Sequence, residues 1–131
     1  MSYSNQALNA YKSNQTDNRA ATASPYQMVK MLFESLQDNL SRARGAMERN
    51  QPAERGVAVS RCIEIIGCLR SSLDMEIGGE MAVNLSELYL FCSRTLMTAN
   101  RTNDLEKLNE AGWVVTEIQS AWEELGEQLN V

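Results

Sequence analysis

The chain has 131 residues with a formal net charge of −5, 44% hydrophobic and 6% aromatic residues, two Pro, three Cys and no His. That length supports one domain with a real core. The lack of His removes the commonest general base and metal ligand, and the acidic balance argues against nucleic-acid binding. The termini carry no pattern of a signal peptide, and no apolar run approaches the length that spans a membrane.

Residues 1–23 are polar, rich in Asn, Gln, Ser and Thr. Tyr3, Leu8 and Tyr11 sit at spacings that one face of a short helix over Tyr3–Tyr11 would bring together. A helix that short is marginal alone in water, so it is expected to be a mobile arm that orders only by packing on something larger. The domain reading is therefore an arm over 1–23 and a helical bundle over 24–131.

The bundle begins at Ser24-Pro25-Tyr26-Gln27. Ser24 suits an N-cap, Pro25 the first helical position, and Gln27 completes a capping box. Met28, Leu32, Leu36, Leu40, Ala43 and Met47 then recur at helical spacing, with Val29, Phe33 and Ala46 beside them, which predicts helix one from Pro25 to about Glu48. Pro52 opens helix two, expected to run from about Ala53 to Met75 on Val59, Cys62, Ile63, Ile66, Leu69 and Leu73. Gly67 lies inside it at a cost of about 1 kcal/mol against Ala, which a close helix–helix approach would explain. Gly78-Gly79 is expected to break the chain, and helix three to run from about Glu80 to Asn100 with an unusually wide apolar face: Met81, Leu85, Leu88, Tyr89, Leu90, Phe91, Cys92 and Leu96. Asn103 is expected to cap helix four, about Asp104 to Leu129, where Leu108, Val115, Trp122 and Leu129 recur every seven residues with Ala111, Ile118 and Leu125 between them.

Four long helices joined by short turns predict an all-α, antiparallel four-helix bundle. Cys62, Cys68 and Cys92 fall in apolar patterns without ligand spacing, and buried reduced thiols are the expectation. Residues 101–131 hold seven acids and two bases, so the last helix carries the whole net charge; a solvated face or a docking face for a basic partner both fit. A helix as wide as the third needs a second cover. The arm and a partner helix are two candidates that would compete for it.

The ordered features resemble the FliS-type flagellar secretion chaperones along nearly the whole chain. They are Ala10-Tyr11 with Thr22-Ala23-Ser24-Pro25, Leu32-Phe33-Glu34, Ser72-Leu73-Asp74-Met75-Glu76, Gly78-Gly79-Glu80, Ala82-Val83-Asn84-Leu85, Leu88-Tyr89, Arg94-Thr95-Leu96, Ala99-Asn100, Asn103-Asp104 and Ala121-Trp122. Phe33 stands where the family usually has Tyr, and Phe91-Cys92-Ser93 also departs from its pattern. The resemblance implies a cytoplasmic binding protein with no catalytic residues, metal or cofactor. Its partner would be the amphipathic C-terminal segment of flagellin, kept from premature polymerisation and passed to the flagellar export gate. The groove candidates are Met28 and Leu32 on helix one, Leu85 and Tyr89 on helix three, and Ile118, Trp122 and Leu125 on helix four, with Leu8 and Tyr11 as cap residues on the arm. A weak homodimer through an empty groove is left open, as is a helical adaptor or regulatory bundle binding another flagellar or regulatory protein. A di-iron bundle is rejected, since its Glu-x-x-His pairs are missing.

Overall fold

The computed structural model describes residues 24–129. The expected arm helix and the cap residues Leu8 and Tyr11 lie outside them. Four helices follow one another: α1 (Pro25–Glu48), α2 (Pro52–Ser71), α3 (Met75–Thr102) and α4 (Leu105–Leu129). Each packs on its chain neighbours and α1 packs on α4, which closes an all-α bundle.

The start of α1 follows from its first four residues. Ser24 Oγ accepts from the Gln27 N–H at 3.2 Å, and Gln27 Oε1 accepts from the Ser24 N–H at 3.2 Å. Its end is set by Asn50, at φ 56°, a left-handed geometry that Asn tolerates better than most residues. The N–H groups of Asn50 and Gln51 then reach back to Met47 O and Ala46 O, satisfying carbonyls that a helix end leaves open.

Two expectations about boundaries change. First, α2 stops at Ser71, not Met75. The apolar spacing runs on through Leu73, but Ser71 and Ser72 hydroxyls donate to Cys68 O and Leu69 O, and the Asp74 carboxylate accepts from the Glu76 and Ile77 N–H groups. An Asp free to cap wins over a stripe that would carry it mid-helix. Second, Asn103 ends α3 in a left-handed conformation, and Asp104 Oδ1 caps α4 by accepting from the Lys107 N–H. The break expected at Gly78-Gly79 is present as a kink within α3: Gly79 has φ 54° and ψ −129°, which only glycine accommodates readily.

The core forms where the four stripes meet. Phe33, Leu36, Leu40 and Ala43 face Val59, Cys62 and Ile66, then Cys92, Leu96 and Ala99, then Leu108, Ala111 and Val115. Each large side chain buried there contributes about 1.5–3 kcal/mol before ordering entropy. Burial pushes the Cys62 thiol up to about 12 and the Cys92 thiol up to about 11. Cys68 departs from expectation and is exposed. Gly67 departs too: a Cβ there would meet nothing within 4 Å, so no close helix approach explains it.

Candidate functional site

At the end of the bundle that holds the start of α1, the stripes do not meet. They surround an apolar cavity of about 590 Å³. Val29 contributes from α1, Leu69 from the last turn of α2, and Ser72 and Leu73 from the connection after it. Met81, Leu85 and Tyr89, one helical turn apart, line it from α3, and Ile118, Ala121, Trp122 and Leu125 from α4. Its charged lining residues are the carboxylates Asp74 and Glu124. The cavity therefore suits an apolar face with cations beside it better than one with acids.

Five of the seven groove candidates, Leu85, Tyr89, Ile118, Trp122 and Leu125, come together here. Met28 and Leu32 do not. Met28 is buried, and Leu32 packs half-buried against the core. Val29 takes the place on α1 that they were expected to fill, because one residue along a helix turns a side chain by about 100°. Leu69, Leu73, Met81 and Ala121 were missed as groove residues. The first two looked like further rungs of the α2 stripe, a reading that only the Asp74 cap could have interrupted.

One wall is held in place by a contact no spacing reveals. The Tyr26 ring stacks on Trp122 at 5.3 Å between centroids and 12° between planes. Its hydroxyl donates to Trp122 O at 3.2 Å. Gly126 permits this, since a Cβ at that position would run into the Tyr26 ring. On the opposite wall, burial and then the neighbouring Cys92 push the Tyr89 phenol above its ordinary range, so it stays neutral. The lining therefore offers apolar surface and neutral hydroxyls beside the carboxylates of Asp74 and Glu124.

Large apolar side chains also stand in solvent around the Gly79 kink. Ile77 is 86% exposed and Met81 71%, with Met75 and Val83 exposed as well. Such a cluster on one segment marks an interaction surface more often than singly scattered apolar residues do. Among the described residues no helix is long and apolar enough to cross a membrane.

Comparison with known proteins places this chain in a family. The model of the family described as flagellar protein FliS matches residues 7–129. The chain is 36% identical over 121 residues to the flagellar secretion chaperone FliSB of Pseudomonas aeruginosa, covering 92% of this chain and 96% of that protein. It is 36% identical over 124 residues to the flagellar secretion chaperone FliS of Salmonella typhimurium, covering 94% of this chain and 92% of that one. It is 34% identical over 119 residues to the flagellar secretion chaperone FliS of Vibrio cholerae, covering 91% and 88% respectively. The chain belongs to the FliS family.

Proposed function

We propose that this protein is a flagellar secretion chaperone of the bacterial cytoplasm, not an enzyme. It takes the amphipathic C-terminal segment of flagellin into the cavity lined by all four helices. The observation that carries this reading is the apolar cavity of about 590 Å³ with exposed Met81 and Leu125 among its lining residues. That volume lies in the range that holds a drug-sized molecule, enough for a few side chains from one face of a helix. The recognition is helix-in-groove, coupled to folding of the client segment. Leu85, Tyr89, Ile118, Trp122 and Leu125 supply the contact. The Met-containing rim adapts to the client's side chains. Covering the segment keeps flagellin from polymerising early and holds it ready for the flagellar type III export gate.

The arm over residues 1–23 competes for the same cover through Leu8 and Tyr11. Titrating the full chain with a flagellin C-terminal peptide should give binding with a negative heat-capacity change and a gain of peptide helicity by circular dichroism. Removing residues 1–16 should tighten it. If the full chain and the truncation both leave the peptide unbound, the reading is wrong. Equal affinities would remove the arm's competing role and leave the client assignment standing.

A further inference from the structure

One stretch of α3 buries none of its residues. Every residue from Met75 to Met81 is exposed. A helix lying on a bundle turns a side chain inward about once in every three or four residues, so this stretch stands off the bundle. It is not polar. It carries Met75, Ile77 and Met81, and Ile77 is the most exposed of the three.

The stretch is held at its ends. Asp74 Oδ1 accepts from the Glu76 and Ile77 N–H groups at 3.1 and 3.0 Å, and Asp74 O accepts from the Gly78 N–H at 2.8 Å. These bonds make residues 74–78 one small unit, joined to α2 through the non-helical connection at Leu73. At its far end comes Gly79, with φ 54°. A Cβ at Gly79 would meet nothing within 4 Å, so no close approach requires glycine there. What the residue supplies is backbone freedom, the property of a hinge. A unit with so little buried surface, set between a connection and a hinge, shifts at low cost.

Its position says what it can cover. Asp74 before it and Met81 at its end both line the apolar cavity, whereas Ile77 between them does not. The unit therefore lies at the cavity's edge with its most exposed apolar side chain outside the site. Its charges point to the same occupant as the cavity does. Asp74, Glu76 and Glu80 are acidic, and no Lys or Arg stands between Arg70 and Arg94. An amphipathic segment with basic residues beside its apolar face satisfies both. A second copy meeting this unit face to face would instead set carboxylates against carboxylates, because a two-fold contact presents the same patch on both sides.

We propose that residues 75–79 form a strap that turns about Gly79 onto a client lying in the cavity and lays Ile77 on the client's outer side. This rests on the function proposed above and adds a moving part to the same site. The cavity takes the inward face of the client segment, and the strap covers a face that the cavity leaves in water. Ile77 is exposed in the free protein because the surface it covers arrives with the client.

The test titrates the full chain, Ile77→Ser and Met97→Ser with a flagellin C-terminal peptide, and follows amide hydrogen exchange of the wild type with and without it. Met97 is also exposed on α3, at 58%, but does not line the cavity. Both side chains stand in solvent, so both variants should keep the wild-type urea midpoint. Ile77→Ser should bind the peptide about tenfold more weakly, the effect of one aliphatic side chain missing from the contact. Met97→Ser should bind as the wild type does. Amides of residues 75–81 should exchange fast in the free protein and at least about tenfold more slowly at saturation. Wild-type affinity in Ile77→Ser overturns the strap and leaves the chaperone reading intact. So does a loss of affinity with no slowing of exchange over residues 75–81. A wild-type dimer in sedimentation that Ile77→Ser abolishes without weakening the peptide would also overturn it, making the stretch a contact between copies. If the wild type leaves the peptide unbound, both readings fall.

Discussion

The two ends of this bundle are built from the same four apolar stripes and finish differently. Toward the α1–α2 and α3–α4 turns the stripes close. Ala43, Ala58, Ala99 and Ala111 stand among the buried contacts there and let the backbones approach. Arg55 ties the turns together by donating to Asn100 and Asn103. Toward the other end the residues are larger, Leu85, Tyr89, Ile118, Trp122 and Leu125, yet a cavity stays between them. Apolar periodicity says which face turns inward. Whether the inward faces touch is decided by side-chain size across the bundle and by what pins the helix ends.

The sharpest way to break this comparison is to truncate one leucine from each end. Leu40→Ala removes a side chain that is 1% exposed in the closed end and should cost about 2–5 kcal/mol in urea unfolding. Leu125→Ala, at the open end, should cost well under half of that and instead weaken the flagellin peptide. Equal losses of stability would make the cavity an ordinary part of the core.

Gly126→Ala comes next. Its methyl group must displace the Tyr26 ring from Trp122, and the overpacking should cost about 1–3 kcal/mol in chemical denaturation. Tyr26→Phe, which keeps the stack and loses only the hydroxyl bond, should cost about 1 kcal/mol. The order of these two losses tells whether ring position or hydrogen bonding holds the wall.

Gly67→Ala is expected to stabilise by about 1 kcal/mol, because the added methyl group meets nothing and the helix gains propensity. The pH dependence is a separate reading of the closed end. Burial raises the thiols of Cys62 and Cys92 from 9.0 to about 12 and about 11. The unfolded chain therefore loses these protons first, near pH 9, while the folded chain keeps them. The stabilisation is full below pH 9 and falls as pH rises toward 11–12. Urea midpoints measured from pH 8 to 10.5 should decline, and the decline should be smaller in Cys62→Ala than in the wild type.

Much of the fold was legible because it depends on local chemistry. The Ser24–Gln27 capping box placed the start of α1, and spacing of three and four placed the buried faces of α1, α2 and most of α4, whereas on α3 Met81, Leu88 and Phe91 of the expected apolar face are exposed. The misplaced boundaries share one cause. At Ser72–Asp74 and at Asn103–Asp104, two neighbouring residues competed to cap or to continue a helix, and local propensity does not say which wins. Met28 and Val29 show a related limit, since adjacent residues on a wide stripe cannot be assigned to core or cavity by period alone. The Tyr26–Trp122–Gly126 contact joins residues almost a hundred positions apart and carries no signal in spacing.

The chain has two tryptophans, and they report on different surfaces. Trp122 lines the cavity, whereas Trp113 is 66% exposed elsewhere on α4. The most direct measurement is fluorescence titration of Trp113→Phe and Trp122→Phe with a Trp-free flagellin C-terminal peptide. The account predicts that Trp122 emission in Trp113→Phe shifts to shorter wavelength at saturation, while Trp113 emission in Trp122→Phe stays where it was. A shift in Trp113 alone, or no shift in either while calorimetry records binding, would contradict the placement of the client in the cavity.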